Sequence, residues 1–213
     1  DYSEIEKKGK QVLTDINGAI DFKNVWFSYN EGVQVLKDVS FRVEPGKSLA
    51  IVGATGAGKS SVINLITRLY ECQKGDVMID GINVKKLDLK SLRRQVGVVM
   101  QDVFLFADTI YNNITLYDTD IDEEDVYYAA KEIGVHDFIL SLPGGYQYNV
   151  KERGVMLSSG QRQLISFLRV YLSNPSILIL DEATSSIDSY AEEMIKSATR
   201  KITKGKTSIL IAH

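Results

Sequence analysis

One cysteine, Cys72, is all that this 213-residue chain has. No internal disulfide can form, and such sparing use of cysteine fits a reducing compartment. No apolar run approaches the ~20 residues that a membrane helix needs, so no stretch reads as a helical span. A basic excess is missing too: Lys plus Arg is 25 against 28 for Asp plus Glu, a net charge of −3. That excludes a nucleic-acid binder driven by charge. There is no signal-peptide pattern, no internal repeat and no low-complexity tract. What is present is an ordinary globular mixture, 44% hydrophobic and 25% charged, which excludes wholesale disorder. The length allows one sizeable domain with a large core. The start at Asp1 rather than Met gives the expectation of a piece excised from something longer.

Residues 1–18 are polar and irregular and read as a linker or a frayed entry segment. From Ala19 the texture changes. Residues 19–29 and 39–44 alternate apolar and polar, the period of half-buried strands. Residues 48–53, 95–100, 176–180 and 208–212 are continuous apolar runs, as in strands buried on both faces of a parallel sheet. Helical spacing lies between them. It puts Val62, Leu65, Ile66 and Leu69 on one face of 59–70, and Val126, Ala129, Ala130 and Ile133 on one face of 123–134. A third face, over 161–172, carries Leu164, Ile165, Leu168, Tyr171 and Leu172, and Ser189-x-x-Glu192 has the pattern of a capping box. Strand–helix alternation predicts an α/β fold with right-handed crossovers, interrupted by a helical insertion.

The strongest chemical signal is GATGAGKS, Gly53 to Ser60, between an apolar strand and a helix. Glycines let the backbone aim its N–H groups at phosphate oxygens, and the helix N-terminus adds partial positive charge. Lys59 would reach the outer phosphates and the Ser60 hydroxyl would hold Mg²⁺. The bland alternative is a glycine-rich turn with a solvated lysine. The second signal is ILILDE, 177–182, an apolar strand ending in two acids. Asp181 there suits a metal that bridges phosphates, and Glu182 suits a general base for an attacking water. Gln101 and His213 stand at the carboxyl ends of two further apolar runs, where ligands bind in open parallel sheets. Taken alone, Gln101 also reads as a loop glutamine and His213 as a structural histidine. The third signal is LSSGQ, 157–161, before an amphipathic helix. Ser158 and Gln161 fit a capping box, and the same helix start could take an anion.

Together these residues resemble the nucleotide-binding domain of an ABC transporter, from about Ala19 to His213. GATGAGKS resembles the family's Walker A, VVMQD (98–102) its Q-loop, LSSGQ its signature, ILILDE its Walker B, SSID (185–188) its D-loop and His213 its switch histidine. The resemblance implies an α/β P-loop NTPase core with a mainly parallel central sheet. It adds an N-terminal antiparallel β subdomain and a helical subdomain over approximately 103–173, with 1–18 as a linker from an upstream membrane domain. It implies ATP and Mg²⁺ as cofactors and export across a membrane as the work done. Nucleotide contacts would come from Tyr29, Gly53, Thr55, Gly56, Ala57, Gly58, Lys59, Ser60 and Ser61. Ser158, Ser159, Gly160, Gln161 and Asp188 would add contacts across a head-to-tail pair of such domains, identical or divergent. Ser60 and Gln101 would hold the metal, Asp181 through water, while Glu182, His213 and Gln101 would serve catalysis. Tyr29 falls where the family stacks an aromatic on adenine, although as a bare observation it reads as core or edge packing. Glu152–Gly154, the ERG element, and 142–150 resemble exporters, in which such an element contacts the transmembrane domain; the place of action would be the cytoplasmic face of a membrane. Ser159 departs from the common glycine, and a serine restricts positive φ. The chain also stops at His213, where family members continue, so truncation at the C-terminus is expected.

The resemblance leaves rivals: an ATPase subunit of an ABC importer, a soluble ABC ATPase outside transport, and a regulatory nucleotide-binding module without turnover. The ERG element and the leading linker argue against the first. Nothing in the sequence shows the long coiled coils or tandem domains of the second, and the presence of Glu182 and His213 weighs against the third.

Overall fold

A computed structural model describes residues 11–30, 32–54, 56–181 and 189–212. The chain divides into two compact units, one of 1–98, 175–180 and 205–213, the other of 99–174 and 181–204.

The first unit holds two sheets. Strand β1 (Ile20–Phe27) pairs antiparallel with β2 (Leu36–Val43) and with β4 (Lys74–Ile79), and β5 (Ile82–Asn83) extends the same sheet in the order β2-β1-β4-β5. The second sheet is built from β3 (Ser48–Val52), β6 (Val96–Val99), β7 (Ile177–Asp181) and β8 (Thr207–Ala212), in the order β3-β8-β7-β6. Its β3 and β8 are parallel neighbours. Ile177, Leu178, Ile179 and Leu180 are all at most 1% exposed, as expected for a strand covered on both faces. Ile20, Phe22, Val25 and Phe27 of β1 share one apolar core with Leu65, Ile66, Ile177, Ile179, Ile209 and Ile211.

Helix α1 (Lys59–Ile66) follows β3 and ends four residues before the sequence pattern does. The Thr67 hydroxyl bonds back to the Ile63 carbonyl, and Arg68 takes a left-handed φ of 50° with its side chain wholly buried. That guanidinium is held by Glu71 at 3.0 Å and by the Leu87 carbonyl at 2.9 Å. A buried charge is tolerated only when paired and hydrogen-bonded, and both conditions are met. Leu87 lies just before the short helix α2 (Leu89–Gln95), capped by Asp88.

Residues 11–18 are tied to this unit. Gln11 bridges to Leu87, Leu13 is 6% exposed within the core, and Asp80 accepts the backbone N–H groups of Asn17, Gly18 and Ala19.

The second unit is helical: α3 (Ile110–Thr115), α4 (Glu123–Ile133), α5 (His136–Ser141), α6 (Ser159–Ser173) and α7 (Ser189–Thr203). Helix α4 buries Val126, Ala129, Ala130 and Ile133, the face its 3.6-residue period selects. Gly134 closes it in the left-handed conformation. Among the described residues no helix is long and apolar enough to cross a membrane.

Candidate nucleotide site

In the first unit the apolar strand β3 runs into the Gly53–Ser60 loop, and the loop runs into α1. The hinge is Gly58. Its φ is 87°, and a Cβ there would lie 2.8 Å from Leu36 Cδ2 and 3.2 Å from the Val35 carbonyl. Only glycine meets both demands. Because Gly58 has no side chain, the N-terminus of α1 has no side-chain cap, and no acidic residue occupies its first turn. The unsatisfied N–H groups and the positive end of the helix dipole therefore remain available to an anion.

Lys59 is 5% exposed. Its ammonium donates to the Gly53 carbonyl and, at 3.0 Å, to the Ala54 carbonyl. No ion pair among the described residues includes it. A cation sheltered from water and held by carbonyl dipoles alone attracts an anion more strongly than a solvated one does. Ser60, beside it, is exposed.

Tyr29, two residues beyond β1, lies against the same helix. Its hydroxyl pairs with Ser61 Oγ at 3.0 Å and accepts from Asn64 Nδ2 at 2.8 Å. The ring stands edge-on to Phe27 and to Tyr70, with centroids 4.7 and 5.0 Å away, yet keeps 42% of its surface exposed. Thus Tyr29 combines edge packing with an accessible ring. Ser61 is 3% exposed and turns its hydroxyl to Tyr29.

In the second unit Ser158 caps α6. Its Oγ accepts from the Gln161 N–H at 3.2 Å, and Gln161 Oε1 accepts from the Ser158 N–H at 3.0 Å, both halves of the capping box. Ser159 is the first helical residue and is not among those with positive φ, so the serine in place of glycine carries no backbone strain. Ser158 and Ser159 are exposed and Gly160 is buried. Gln101 is exposed in the bend after β6. Asp181, the last residue of β7, is 7% exposed. Thr55, Glu182, Asp188 and His213 lie outside the described residues.

Sequence reasoning passed over two residues. Arg169, on α6, donates to the Asn113 carbonyl and, at 3.1 Å each, to Asn113 Oδ1 and the Phe104 carbonyl. Asn113, wholly buried, also bonds both the N–H and the carbonyl of Phe106. Burial pulls the Arg169 guanidinium down to about 10, so it stays charged at neutral pH and fixes the 104–113 segment on the helix that Ser158 caps. The other is Asn64, whose helical position looks like one more solvated polar residue. Neither has a local sequence signal, because the partners are distant in the chain.

The oxygen donors proposed for a metal, the Ser60 hydroxyl, the Gln101 amide oxygen and the Asp181 carboxylate, are of the hard class that Mg²⁺ takes. No cluster of three or more His, Cys, Asp or Glu occurs among the described residues. Mg²⁺ held mainly by phosphates and water does not need one.

Comparison with known proteins bears on the family and the fold. A family model described as ABC transporter matches residues 36–185. The chain is 48% identical over 198 residues to the Bacillus subtilis ABC transporter ATP-binding protein YknV, covering 93% of this chain and 33% of that protein. It is 44% identical over 214 residues to a Staphylococcus aureus protein named as a multidrug export ATP-binding/permease protein, covering 100% of this chain and 37% of that one. Among solved structures, a bacterial Atm1-family ABC exporter with ATP bound superposes with a TM-score of 0.88 at 38% identity, over 97% of this chain and 36% of that one. The chain thus spans about a third of the length of these relatives. It belongs to the ABC transporter family and has that family's P-loop ATPase fold.

Proposed function

We propose that this chain binds MgATP on the Gly53–Ser60 loop and hydrolyses it to power export of a substrate across a membrane, acting at the cytoplasmic face. One observation carries the reading. The left-handed Gly58 hands the loop into an uncapped helix N-terminus while the buried Lys59 ammonium rests on the loop's own carbonyls.

In this reading the backbone N–H groups at the head of α1 bind the phosphates, and Lys59 neutralises the charge that spreads over the outer ones. Ser60 and Gln101 would hold Mg²⁺, with Asp181 acting through water, and the ion would supply further neutralisation of phosphate charge. Glu182 takes a proton from the attacking water, and His213 and Gln101 orient that water and the γ-phosphate. Tyr29 stacks on the base. Ser158, Ser159, Gly160 and Gln161 at the head of α6, with Asp188, complete the site of a second such domain, paired head-to-tail. The transmembrane domain is the other partner, engaged through the segment around Gln101 and the ERG element. The exporter names of the relatives support transport as the work done.

The test is nucleotide affinity in Lys59→Ala. Loss of a buried charge-assisted bond of ~1.5–3 kcal/mol predicts roughly ten- to a hundredfold weaker ATP binding. Unchanged affinity in a folded variant contradicts the assignment of the loop.

A further inference from the structure

We propose that Asn64 positions the Tyr29 ring, and so sets how tightly the chain holds the base of a nucleoside triphosphate. The inference rests on the reading of Tyr29 as the residue that stacks on that base.

Tyr29 lies beyond the end of β1, where no ladder bond holds it. Its orientation comes from the helix. Asn64 Nδ2 donates to the phenol oxygen at 2.8 Å, and Ser61 Oγ meets the same oxygen at 3.0 Å. Two partners at fixed angles to one oxygen restrict rotation of the whole side chain. Tyr70 forms one wall of the ring's seat, edge-on at 90°, and Phe27 the other, at 80°.

Asn64 also governs the Tyr70 wall. Its backbone carbonyl accepts the N–H of Leu69 at 2.8 Å and the N–H of Tyr70 at 3.2 Å. These bonds close the turn after α1 and fix where the Tyr70 ring starts. A single residue of the phosphate-loop helix therefore holds one aromatic by its amide and the next by its carbonyl. Ser61 directly follows Ser60, so the phenol is tied to the same helical turn that heads the phosphate loop. A stacking ring gains most when it is already oriented, because less rotational freedom is lost on binding.

Equilibrium binding of ATP and of inorganic tripolyphosphate, which has no base, separates the possibilities. The proteins compared are the unsubstituted chain, Asn64→Leu, Tyr29→Phe, the double variant and Tyr29→Ala. Loss of one net hydrogen bond predicts that Asn64→Leu weakens ATP by about three- to tenfold, and Tyr29→Phe, which loses the Ser61 contact as well, weakens it at least as much. Tripolyphosphate affinity stays unchanged, and the double variant is no weaker than the worse single one, because both remove the same bond. Tyr29→Ala removes the stack itself and weakens ATP by roughly tenfold or more.

If Tyr29→Ala weakens ATP but Asn64→Leu does not, the positioning role is overturned and the stacking role of Tyr29 stands. Equal weakening of both ligands in Asn64→Leu also overturns it, since the residue then acts on the helix end rather than on the ring. If Tyr29→Ala leaves ATP affinity intact, the stacking role falls and the inference with it. Tyr29→Phe deletes one oxygen, with both its bonds, from a half-exposed ring, so unchanged ATP affinity in it overturns the positioning role even where Asn64→Leu fails to fold.

Discussion

Changing Glu182 to glutamine is expected to leave ATP bound and to cut single-turnover hydrolysis by ~10²–10⁴. Glutamine keeps the size and the hydrogen-bonding reach of glutamate but has no basicity near neutral pH, so only the proton acceptor is lost. The two acids that end the 177–182 run divide the work in this account. Asp181 closes the fully buried β7 and is 7% exposed, a place suited to a fixed charge near a metal and poorly suited to carrying a proton to and from water. On the proposed reading Glu182 is then the base. Asp181→Asn should instead reduce the Mg²⁺ dependence of ATP binding. Turnover is best read with the chain at high concentration, where two copies can meet. A loss smaller than about tenfold in Glu182→Gln would remove Glu182 from the role.

The second large effect is on stability. Gly75→Ala should lower the denaturant midpoint far more than Gly81→Ala does, although the two glycines have nearly equal φ, 79° and 78°. Both substitutions cost ~1–2 kcal/mol for placing an L-residue in the left-handed region. At Gly81 nothing lies within 4 Å of the new Cβ, so the cost stops there. At Gly75 the Cβ would fall 2.2 Å from the Asn24 carbonyl oxygen and 2.4 Å from that of Lys23. These are backbone atoms of β1 and cannot step aside without opening the β1–β4 register, which already slips between Lys23 and Trp26. We expect ~3 kcal/mol or more in total, within the range of severe backbone effects. Paired urea titrations of the two variants measure it, and equal midpoints would contradict the close approach. Tyr29 follows β1, so the same change should loosen the aromatic seat and weaken ATP.

The parts of this fold written in local pattern were legible in the sequence. The β7 run, the glycine loop and the start of α1 need only neighbours in the chain, and the Ser158–Gln161 capping box needs only four residues, whereas the 48–53 run, expected to be buried on both faces, leaves Ala50 and Val52 of β3 exposed. What the sequence concealed depends on distant partners. A helix over 59–70 follows from the apolar period, but α1 stops at Ile66 because Arg68 turns left-handed into the core, toward Glu71 and the Leu87 carbonyl. An arginine reads as surface, and nothing near it announces its burial. Residues 11–18 look merely polar, yet Asp80, more than sixty residues away, accepts the N–H groups of Asn17 and Gly18 while Leu13 enters the core. For the site, the phosphate loop was legible from spacing. The fixing of Tyr29 by Asn64, and of the 104–113 segment by Arg169, was not, because both are side-chain bonds across tens of residues.

The central claim is that the Gly53–Ser60 loop holds a triphosphate. A crystal structure of the chain grown with Mg²⁺ and a non-hydrolysable ATP analogue tests it most directly. The account predicts β- and γ-phosphate oxygens within hydrogen-bonding distance of the backbone N–H groups at the head of α1 and of Lys59 Nζ, with the base against Tyr29. A nucleotide found elsewhere on the chain, with Lys59 still turned onto the Gly53 and Ala54 carbonyls, would contradict it.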